Sequence, residues 1–564
     1  MKINLAQYLL DYLSNKGITD VFGIPGRENA DIAFNENTNI NYITARIEFN
    51  AGVMADATAR ITNKPQVAFC TLGPGATNMV TACAGAYASF SPMLLVSAQV
   101  EQNLINYNKT HQCVDQRNIF SSITKLSYEL KSAAELPNLL DKAFDLMMTE
   151  PKGPVHLSIP VNLYHEFIDN DILTRNDEFQ QNIIQKLNKT KSNLLATNDF
   201  KQSLEQAIEA IKSYDNILCL VGNEAIRADA QDSIAKFCEN FNIPLLSSAN
   251  AYGILPYEHR LNLGSGSCYM DGILGSPNCL DKIMNDIDII INIGYQYADD
   301  IPPTLWERGK EKIIIDISLI AEYHNLYNPY IKIKADISDI LNLLNEKLSK
   351  IMIPKKDYID NACNWLKDLK NQICNRALDN GFIGASDVVN VINHLLDDNG
   401  ALINDVGYYR HHAILFGKFK RSQIFLVDAA LSSFGFGLPA AISTQMMYPV
   451  KEVFMLCGDG GFHSGSCDLE TVARYNLPIV ILVLNNSCFD LIDRYQKKGN
   501  KKNPEILKFT QVDFAKLAEA NGIKGVKASN IHELEFLIKN RDKSKPILIE
   551  IPLQYHDQKL IESF

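Results

Sequence analysis

Two apolar runs near the end of the chain finish in small polar residues, and this pattern constrains the fold more than any other. The runs, Val453–Leu456 and Ile479–Leu484, contain only apolar residues, as strands buried on both faces of a parallel sheet do. The first leads into Gly458–Gly461 and the second into Asn485-Asn486. Because parallel strands end at a common edge of their sheet, these polar residues are predicted to lie together.

The predicted edge carries ligands that suit magnesium and a diphosphate. Asp459 offers a carboxylate, Asn486 an amide oxygen and Cys488 a backbone carbonyl, which are the oxygen ligands that Mg²⁺ prefers. Glycines let backbone amides approach a diphosphate closely. The glycines beside the aspartate are Gly458, Gly460 and Gly461. A Gly-Asp-Gly sequence alone is more often a simple turn, but the asparagines after the second run favour the metal site.

The two motifs together resemble the thiamine diphosphate fingerprint, in which Gly-Asp-Gly precedes Asn-Asn. The resemblance implies thiamine diphosphate and Mg²⁺ as cofactors, and such a cofactor also needs a carboxylic acid beside its aminopyrimidine ring. Glu48 precedes a segment of small residues, Asn50–Arg60, and so matches the family's catalytic glutamate. The alternative for an isolated glutamate is a helix-start residue favoured by the helix dipole.

Composition indicates a large enzyme with small-molecule substrates. The 564 residues are 46% hydrophobic, enough for several domains. A net charge of −11 argues against nucleic acid as a partner, and the apolar runs are too short to span a membrane. The first residues, Met1–Leu13, have the apolar spacing of a domain helix and lack the features of a signal peptide. Twelve cysteines without a CxxC pair favour a cytoplasmic location.

The order of segments predicts an α/β protein with three consecutive doubly wound parallel-sheet domains. The first domain covers residues 1–170 and, by the thiamine resemblance, is expected to bind the pyrimidine. The middle domain covers residues 195–348. The third covers residues 375–555 and is expected to bind the diphosphate. Polar linkers separate them. Further predicted strands are Gln66–Cys70, Met93–Ser97, Val155–Pro160, Ile217–Gly222, Ile287–Gly294 and Lys312–Ile317.

Over essentially the whole chain, this order resembles the acetohydroxyacid synthase and decarboxylase superfamily of thiamine enzymes. Several segments are similar to the carboxyethylarginine synthase branch of that superfamily. They are Thr110–Asp115, Tyr269–Leu274, Gly294–Asp300, Tyr409–His411, Ser432–Gly437 and Gly461–Ser464. The resemblance also implies that Gly407 and Phe434 contact the cofactor.

Departures from the acetolactate synthase pattern support that branch. His111 stands where a phenylalanine usually precedes the active-site glutamine, here Gln112, and Phe434 replaces a supporting methionine. Gly294–Tyr297 replaces the glycine-arginine-phenylalanine motif that helps to hold FAD, and Gly222–Glu224 replaces a run of glycines. FAD is therefore not expected.

The branch resemblance implies that a three-carbon unit from glyceraldehyde 3-phosphate is joined to the α-amine of arginine or a similar amino acid. His111 and Gln112 are the catalytic candidates, with His411 or His463 as further proton donors. For each histidine the alternative is a structural or surface residue. Asp300, helped by Asp299, is the candidate partner of a guanidinium, and the alternative for these acids is a solvated turn. The predicted substrate residues are His111, Gln112, Tyr269, Asp271, Asp299, Asp300, Arg410 and His411.

Two alternatives remain open from the sequence. Another thiamine reaction on the same scaffold, acetolactate synthesis or 2-oxoacid decarboxylation, is the first. A non-catalytic relative is the second, and the intact Glu48, Asp459 and Asn486 argue against it. In the resembled family each active site spans two subunits, which implies a homodimer or a dimer of dimers.

Overall fold

The computed structural model describes residues 2–107, 109–172, 197–269, 284–296, 299, 301, 309, 311–319, 328–349, 364, 383–498 and 504–553. Three six-stranded sheets lie within these residues, and every strand pair in them is parallel. Helices connect the strands. The predicted fold class, α/β with three parallel-sheet domains in series, is therefore confirmed.

The first sheet has the strand order β3-β2-β4-β5-β7-β6, and a separate antiparallel pair joins β1 to β8. The strands are β1 (Lys2–Asn4), β2 (Asp20–Gly23), β3 (Asn41–Thr44), β4 (Gln66–Cys70), β5 (Met93–Gln99), β6 (Leu126–Glu129), β7 (Val155–Pro160) and β8 (Phe167–Asp169). The helices are α1 (Leu5–Asn15), α2 (Ala30–Ala33), α3 (Glu48–Thr62), α4 (Pro74–Asn78), α5 (Val80–Ala88), α6 (Gln116–Ser121) and α7 (Leu136–Met148).

The start of the chain differs from its prediction as a helix from Met1. A short strand comes first, and α1 begins only after Asn4, whose side chain accepts the N–H of Gln7 and caps the helix. The apolar spacing from Leu5 onward was still informative, because it marks the buried face of α1.

The middle sheet has the order β11-β10-β9-β12-β13-β14. Its strands are β9 (Ile217–Val221), β10 (Leu245–Ser247), β11 (Asn262–Ser265), β12 (Ile289–Ile293), β13 (Ile313–Ser318) and β14 (Ile331–Lys334). Its helices are α8 (Asn198–Ser213), α9 (Asn223–Arg227), α10 (Gln231–Phe241) and α11 (Ile337–Leu348). Strands β9, β10 and β11 follow one another toward one edge of the sheet, and β12, β13 and β14 follow one another toward the other edge, as in doubly wound folds.

The third sheet has the order β16-β15-β17-β18-β20-β19. Its strands are β15 (Ala401–Asn404), β16 (Ile424–Val427), β17 (Val453–Gly458), β18 (Val480–Asn485), β19 (Lys524–Lys527) and β20 (Ile547–Pro552). The helices are α12 (Ala385–Leu395), α13 (Tyr408–Phe416), α14 (Gly437–Met447), α15 (Asp459–Gly465), α16 (Leu469–Arg474), α17 (Asp490–Lys498), α18 (Phe514–Ala520) and α19 (Ile531–Lys539). Counted along the chain, the strands have the same order as those of the first sheet. The first and third domains therefore share one topology, and the middle domain has another.

Two segments from the last part of the chain form one compact unit with the first domain. They are residues 430–450 and 463–477. Helix α3 packs against α14 in this unit and against α5. The contacts are close because the helices carry small residues: a Cβ at Gly52 would lie 2.6 Å from Cβ of Ala82. Residues 50–59 of α3 are all buried, which explains the small-residue composition of this helix.

No helix among the described residues combines the length and the apolar character needed to cross a membrane.

Candidate active site

Asp459 lies directly after β17, where it begins α15. Its carboxylate accepts hydrogen bonds from the backbone N–H groups of Gly460 at 2.7 Å, Asn486 at 3.1 Å and Ser487 at 2.5 Å. Strands β17 and β18 are neighbours, so the two motifs meet at one sheet edge as predicted. Burial raises the pKa of the Asp459 carboxyl, and the backbone hydrogen bonds oppose this increase.

The two adjacent asparagines have different surroundings. The Asn485 side chain donates to Glu550 Oε1 at 2.9 Å and to the carbonyl of Val512 at 3.0 Å. Glu550 is fully buried and also accepts the N–H of Phe514 at 2.9 Å. Asn485 therefore fixes the turn after β18, and Asn486 is the half-buried asparagine left beside Asp459.

Glu550 was not predicted from the sequence. The available signal was a single acidic residue inside the apolar run Ile547–Pro552, since a buried carboxylate in a strand needs hydrogen-bond partners.

Glycines at the ends of β15 and β17 lie against aromatic rings. A Cβ at Gly458 would stand 2.9 Å from Cε1 of Tyr409, and Gly407 faces the same ring. A Cβ at Gly460 would stand 2.8 Å from the ring of Phe489. The absence of a side chain at these positions is therefore required by contacts within the domain, in addition to any approach by a diphosphate.

Glu48 is the first residue of α3 and is half-buried. Asn78, at the end of α4, donates from Nδ2 to Glu48 Oε2 at 3.0 Å. A Cβ at Gly75 would lie 3.4 Å from Glu48 Oε1, so the loop after β4 comes close to the carboxylate. Asn78 was missed by sequence reasoning, although Gly73-Pro74-Gly75 after a predicted strand was a signal for a loop at the same sheet edge.

Gln112 lies beside that same loop. Its backbone adopts a left-handed conformation with a φ of 55°, and its carbonyl oxygen would be 2.7 Å from a Cβ at Gly73. Gly73 itself has a φ of +56°, so only glycine fits there without strain. The side chains of Gln112 and His111 are exposed. The structure thus brings Gln112 next to the loop that carries Asn78.

Buried polar side chains hold the segment that follows Gln112 on the first sheet. Gln116, fully buried, donates to the carbonyl of Ala98 at 2.9 Å and accepts from Ser97. Ser97 also contacts Nε2 of His156 at 2.7 Å. Burial lowers the pKa of His156 to about 3, so this histidine is neutral at physiological pH.

Arg410 and His411 lie on α13 and are both buried. Arg410 donates from Nη1 to the carbonyl of Asp428 at 3.1 Å. Burial, with the neighbouring Arg410 and His412, holds the pKa of His411 well below its usual value. A neutral His411 is better suited to act as a hydrogen-bond partner than as a positively charged proton donor.

Asp299 is fully buried in the middle domain, where its carboxylate binds donors of the chain itself. Oδ1 accepts the N–H of Asn223 and the hydroxyl of Ser248, both at 2.8 Å, and Oδ2 accepts the N–H of Gln296 at 2.6 Å. Burial raises the pKa of Asp299 to about 6. These contacts join α9 to the loop after β12, so they favour a structural role for Asp299 over the predicted contact with a guanidinium.

The three domains correspond to three parts of one enzyme family. Residues 3–119 match the thiamine pyrophosphate enzyme N-terminal TPP binding domain, residues 204–344 its central domain and residues 405–551 its C-terminal TPP binding domain. The chain belongs to the thiamine pyrophosphate enzymes.

Several relatives of this thiamine pyrophosphate enzyme are named acetolactate synthases. The large subunit from Haemophilus influenzae is 27% identical, over 96% of this chain and 93% of the relative. A probable large subunit from Methanocaldococcus jannaschii is 28% identical over 97% and 91%, and the Bacillus subtilis enzyme is 25% identical over 98% and 93%. The resemblance to the acetohydroxyacid synthase superfamily is confirmed, whereas similarity to carboxyethylarginine synthase depends on the sequence segments alone.

The residues at the end of β17 fit the magnesium diphosphate of a thiamine pyrophosphate enzyme. A buried carboxylate such as Asp459 is stabilised in its charged form by a divalent cation. The Cys488 carbonyl accepts the N–H of Asp490 at 2.9 Å and has a second lone pair for a metal. A Cβ at Gly461 would lie 3.1 Å from Asp405 Oδ2, so this glycine keeps the first turn of α15 open beside another carboxylate.

For the other residues predicted at the active site of this thiamine pyrophosphate enzyme, the structure shows only exposure or position in the chain. The Phe434 side chain is 43% exposed, and His463 is an exposed residue of α15. Tyr269 ends a short 3-10 helix, Gly266–Tyr269, and its side chain lies outside the described part of the structure. Asp271 and Asp300 also lie outside the described residues, so their substrate roles stay predictions.

Proposed function

We propose that this protein binds thiamine diphosphate with Mg²⁺, decarboxylates a 2-oxoacid such as pyruvate and joins the remaining unit to a second carbonyl compound, as acetolactate synthases do. The observation that carries the proposal is the contact of Asn78 with Glu48 in the domain assigned to pyrimidine binding. Asp459 and Asn486 in the third domain complement it. Support for the reaction type comes from relatives named acetolactate synthase that match nearly the whole chain.

The proposed roles of the cofactor residues follow from their chemistry. Bound thiamine diphosphate supplies a nucleophilic carbon and an acceptor for the electrons released when a carboxylate leaves. Glu48 Oε2 accepts from Asn78, so we assign proton exchange with a ring nitrogen of the cofactor to Oε1. Asp459, Asn486 and the Cys488 carbonyl would hold Mg²⁺, and the amides of Gly460 and Gly461 would face the diphosphate.

Residues from the first domain would handle the substrate. Gln112 is exposed and lies against Gly73, in the loop that also carries Asn78, so its amide can donate to a substrate oxygen near the cofactor ring. His111 is exposed beside it and would serve as a proton donor or acceptor. Arg410 is the candidate for an anionic substrate group, because its guanidinium is always positively charged and lies in the first turn of α13, after Gly407.

A second candidate function is the transfer of a three-carbon unit from glyceraldehyde 3-phosphate to the α-amine of arginine or a similar amino acid. The replacement of phenylalanine by His111 before the active-site glutamine favours it. So does the sequence Gly294–Tyr297, which departs from the flavin-associated motif of acetolactate synthase. For the same reason we propose that the enzyme works without FAD.

The family's shared active sites also suggest an assembly. We expect a homodimer, or a dimer of dimers, in which the Glu48 domain of one subunit completes the Asp459 site of another. We also propose a cytoplasmic location. Light scattering of the active protein at working concentration checks the assembly, and a fully active monomer would contradict it.

The test is a pair of assays on purified protein supplied with thiamine diphosphate and Mg²⁺. Pyruvate alone should give carbon dioxide and acetolactate, while glyceraldehyde 3-phosphate with a pool of amino acids should give neither phosphate nor a new adduct by mass spectrometry. The reverse pattern would replace the first function by the second. Glu48→Gln should abolish whichever activity is found, and Glu36→Gln, an exposed change in the same domain, should leave it intact.

A further inference from the structure

The turn that carries Glu48 is held from outside its own segment. It runs from Thr44, at the end of β3, to Asn50, in the first turn of α3. Ile47 precedes α3 in extended conformation, and its side chain makes no capping hydrogen bond. A helix start without a cap is prone to fray. The position of the catalytic carboxylate therefore depends on other contacts.

Asp468 supplies the most buried of these contacts. Its side chain is fully buried at the start of α16, in the segment that shares a compact unit with the first domain. Oδ1 accepts the backbone N–H of Arg46 at 3.0 Å, and Oδ2 accepts Nδ2 of Asn50 at 2.5 Å. These two partners lie two residues before and two residues after Glu48. One carboxylate thus fixes both sides of the catalytic residue.

The donors around Asp468 favour its ionised form. Besides Arg46 and Asn50, the hydroxyl of Thr471 donates to Oδ1 at 2.6 Å. The same Asn50 nitrogen donates to the carbonyl of Gly465 at 3.2 Å, which fixes the orientation of the amide. Burial raises the pKa of Asp468, and the hydrogen bonds from Thr471, Asn50 and Arg46 oppose that increase. If the carboxyl of Asp468 were protonated, its own O–H group would face one of these donors.

Two outer contacts support the same turn more weakly. Arg474 donates from Nη2 to the carbonyl of Thr44 at 2.6 Å. Arg46 Nε lies 3.9 Å from Glu470 Oε2, and both of those side chains are substantially exposed. Exposed pairs at such distances add little in water. Backbone contact to β2 comes earlier in the turn, where the N–H of Ala45 donates to the carbonyl of Gly23 at 3.1 Å. Asp468 is therefore the buried side chain that contacts the turn on both sides of Glu48.

We propose that Asp468 is a positioning residue that holds the Glu48 turn through Arg46 and Asn50. The proposal extends the role assigned to Glu48 above and rests on it for its catalytic consequence. It also links the two sequence motifs, since Asp468 lies nine residues after Asp459 in the same chain. Loss of Asp468 should loosen the turn and slow proton exchange by Glu48 without removing a ligand of the diphosphate.

The first test is amide hydrogen exchange on the protein without cofactor. Asp468→Ala should accelerate exchange in residues 44–50 by ~10-fold or more relative to the rest of α3. Thr444→Val is the matched control, because it removes a buried hydroxyl of α14 in the same compact unit that donates to the carbonyl of Ala440, and it should leave 44–50 near the wild-type rate. Unchanged exchange, or equal acceleration across the whole domain, would overturn the proposal.

Asn50→Ala keeps the test decisive if Asp468→Ala does not fold, because it removes only one partner. It should accelerate the same amides, and unchanged exchange at residues 44–50 in Asn50→Ala would overturn the proposal. If Asp468→Ala does fold, the double variant should add little to it, since both changes break the contact between Asp468 and Asn50. Full additivity of the two changes would overturn the proposal.

The second test measures exchange of the C2 proton of bound thiamine diphosphate in the presence of Mg²⁺ and without substrate. Asp468→Ala should slow this exchange severalfold while cofactor affinity changes little. A wild-type exchange rate in a variant with a loosened turn would overturn the link to Glu48. If the wild-type protein itself showed no C2 exchange, the proposed function would fail, while amide exchange would still decide whether Asp468 holds the turn.

Discussion

Asn78 donates a hydrogen bond from Nδ2 to Oε2 of Glu48 at 3.0 Å. This contact joins the loop after β4 to the first residue of α3, and Gly75 approaches the other carboxylate oxygen from the same loop. The Glu48 carboxylate is therefore oriented by an amide donor in its own domain. Asp468 accepts the backbone N–H of Arg46 before Glu48 and the side-chain amide of Asn50 after it.

Removing the amide donor should weaken catalysis without unfolding the domain. We expect Asn78→Ala to lower turnover by up to roughly tenfold, because a side-chain hydrogen bond contributes ~0.5–1.5 kcal/mol and Asn78 is exposed to solvent. Thr77→Ala, a neighbouring exposed change in α4, should retain turnover and serves as the control. Steady-state rates at saturating cofactor measure the effect. Equal rates for wild type and Asn78→Ala would show that the contact does not matter for catalysis.

Removing the predicted metal ligand should prevent cofactor binding. We expect Asp459→Ala to weaken Mg²⁺-dependent binding of thiamine diphosphate by more than ~100-fold, since changes to groups that only support a ligand already cost ~10–100-fold. Asp542→Ala, an exposed aspartate in the same domain, is the control. Calorimetric titration with and without Mg²⁺ gives the affinities. An unchanged affinity in Asp459→Ala would exclude it as a ligand.

Glu550 should prove important although it lies within a strand. Its oxygens accept Asn485 Nδ2 and the N–H groups of Phe514 and Ala515. In Glu550→Gln the new side-chain NH₂ group would face one of these donors. That donor would lose its acceptor, which should lower the free energy of unfolding by ~1–3 kcal/mol. We expect a lower melting temperature and weaker cofactor binding, because Asn485 holds the turn beside Asp459.

Glu519→Gln is the matched control for that change, since Glu519 is exposed. If the melting temperature and the cofactor affinity of Glu550→Gln both equalled those of the control, Glu550 would have no role in holding the turn.

The first domain should lose stability in mild acid through His156. Burial lowers its pKa to about 3, below the usual 6.5 of a histidine, so the folded state binds a proton less readily than the unfolded state. The resulting stability is complete above pH 6.5 and is lost as the pH falls toward 3, by up to ~1.4 kcal/mol per pH unit.

His156→Leu should be less stable at neutral pH, because Ser97 and Ser127 lose their partner. Its melting temperature should nevertheless depend less on pH between 7 and 4.5 than that of the wild type. His165→Asn, an exposed change, should keep the wild-type dependence. Parallel pH profiles for wild type and His156→Leu would contradict the assignment.

Much of the fold was predictable because buried parallel strands are unusually plain in sequence. The predicted strands Gln66–Cys70 and Val155–Pro160 coincide with β4 and β7. Asp459 and Asn486 could be placed together because each follows such a strand, and strand ends share an edge. Glu48 at a helix start was predictable from the small residues that follow it.

Contacts between distant segments were not predictable, because no local pattern encodes them. Nothing in residues 463–477 indicates that Asp468 packs beside Arg46 and Asn50. Asp299 was expected at a substrate because a carboxylate after a buried strand can bind a guanidinium, with a solvated turn as the alternative, yet it is buried and binds donors of its own domain. Asn78 ends the short helix α4 and is not a common catalytic residue type, so its contact with Glu48 appeared only in the structure.

The most direct measurement is the exchange of the C2 proton of thiamine diphosphate in wild type and Glu48→Gln, both saturated with cofactor and Mg²⁺. Glu48 is proposed to exchange a proton with the cofactor ring while Asp459 holds the diphosphate, so the variant should bind the cofactor and exchange ~10²–10⁴-fold more slowly. Wild-type exchange in a cofactor-saturated Glu48→Gln protein would contradict this account of the active site.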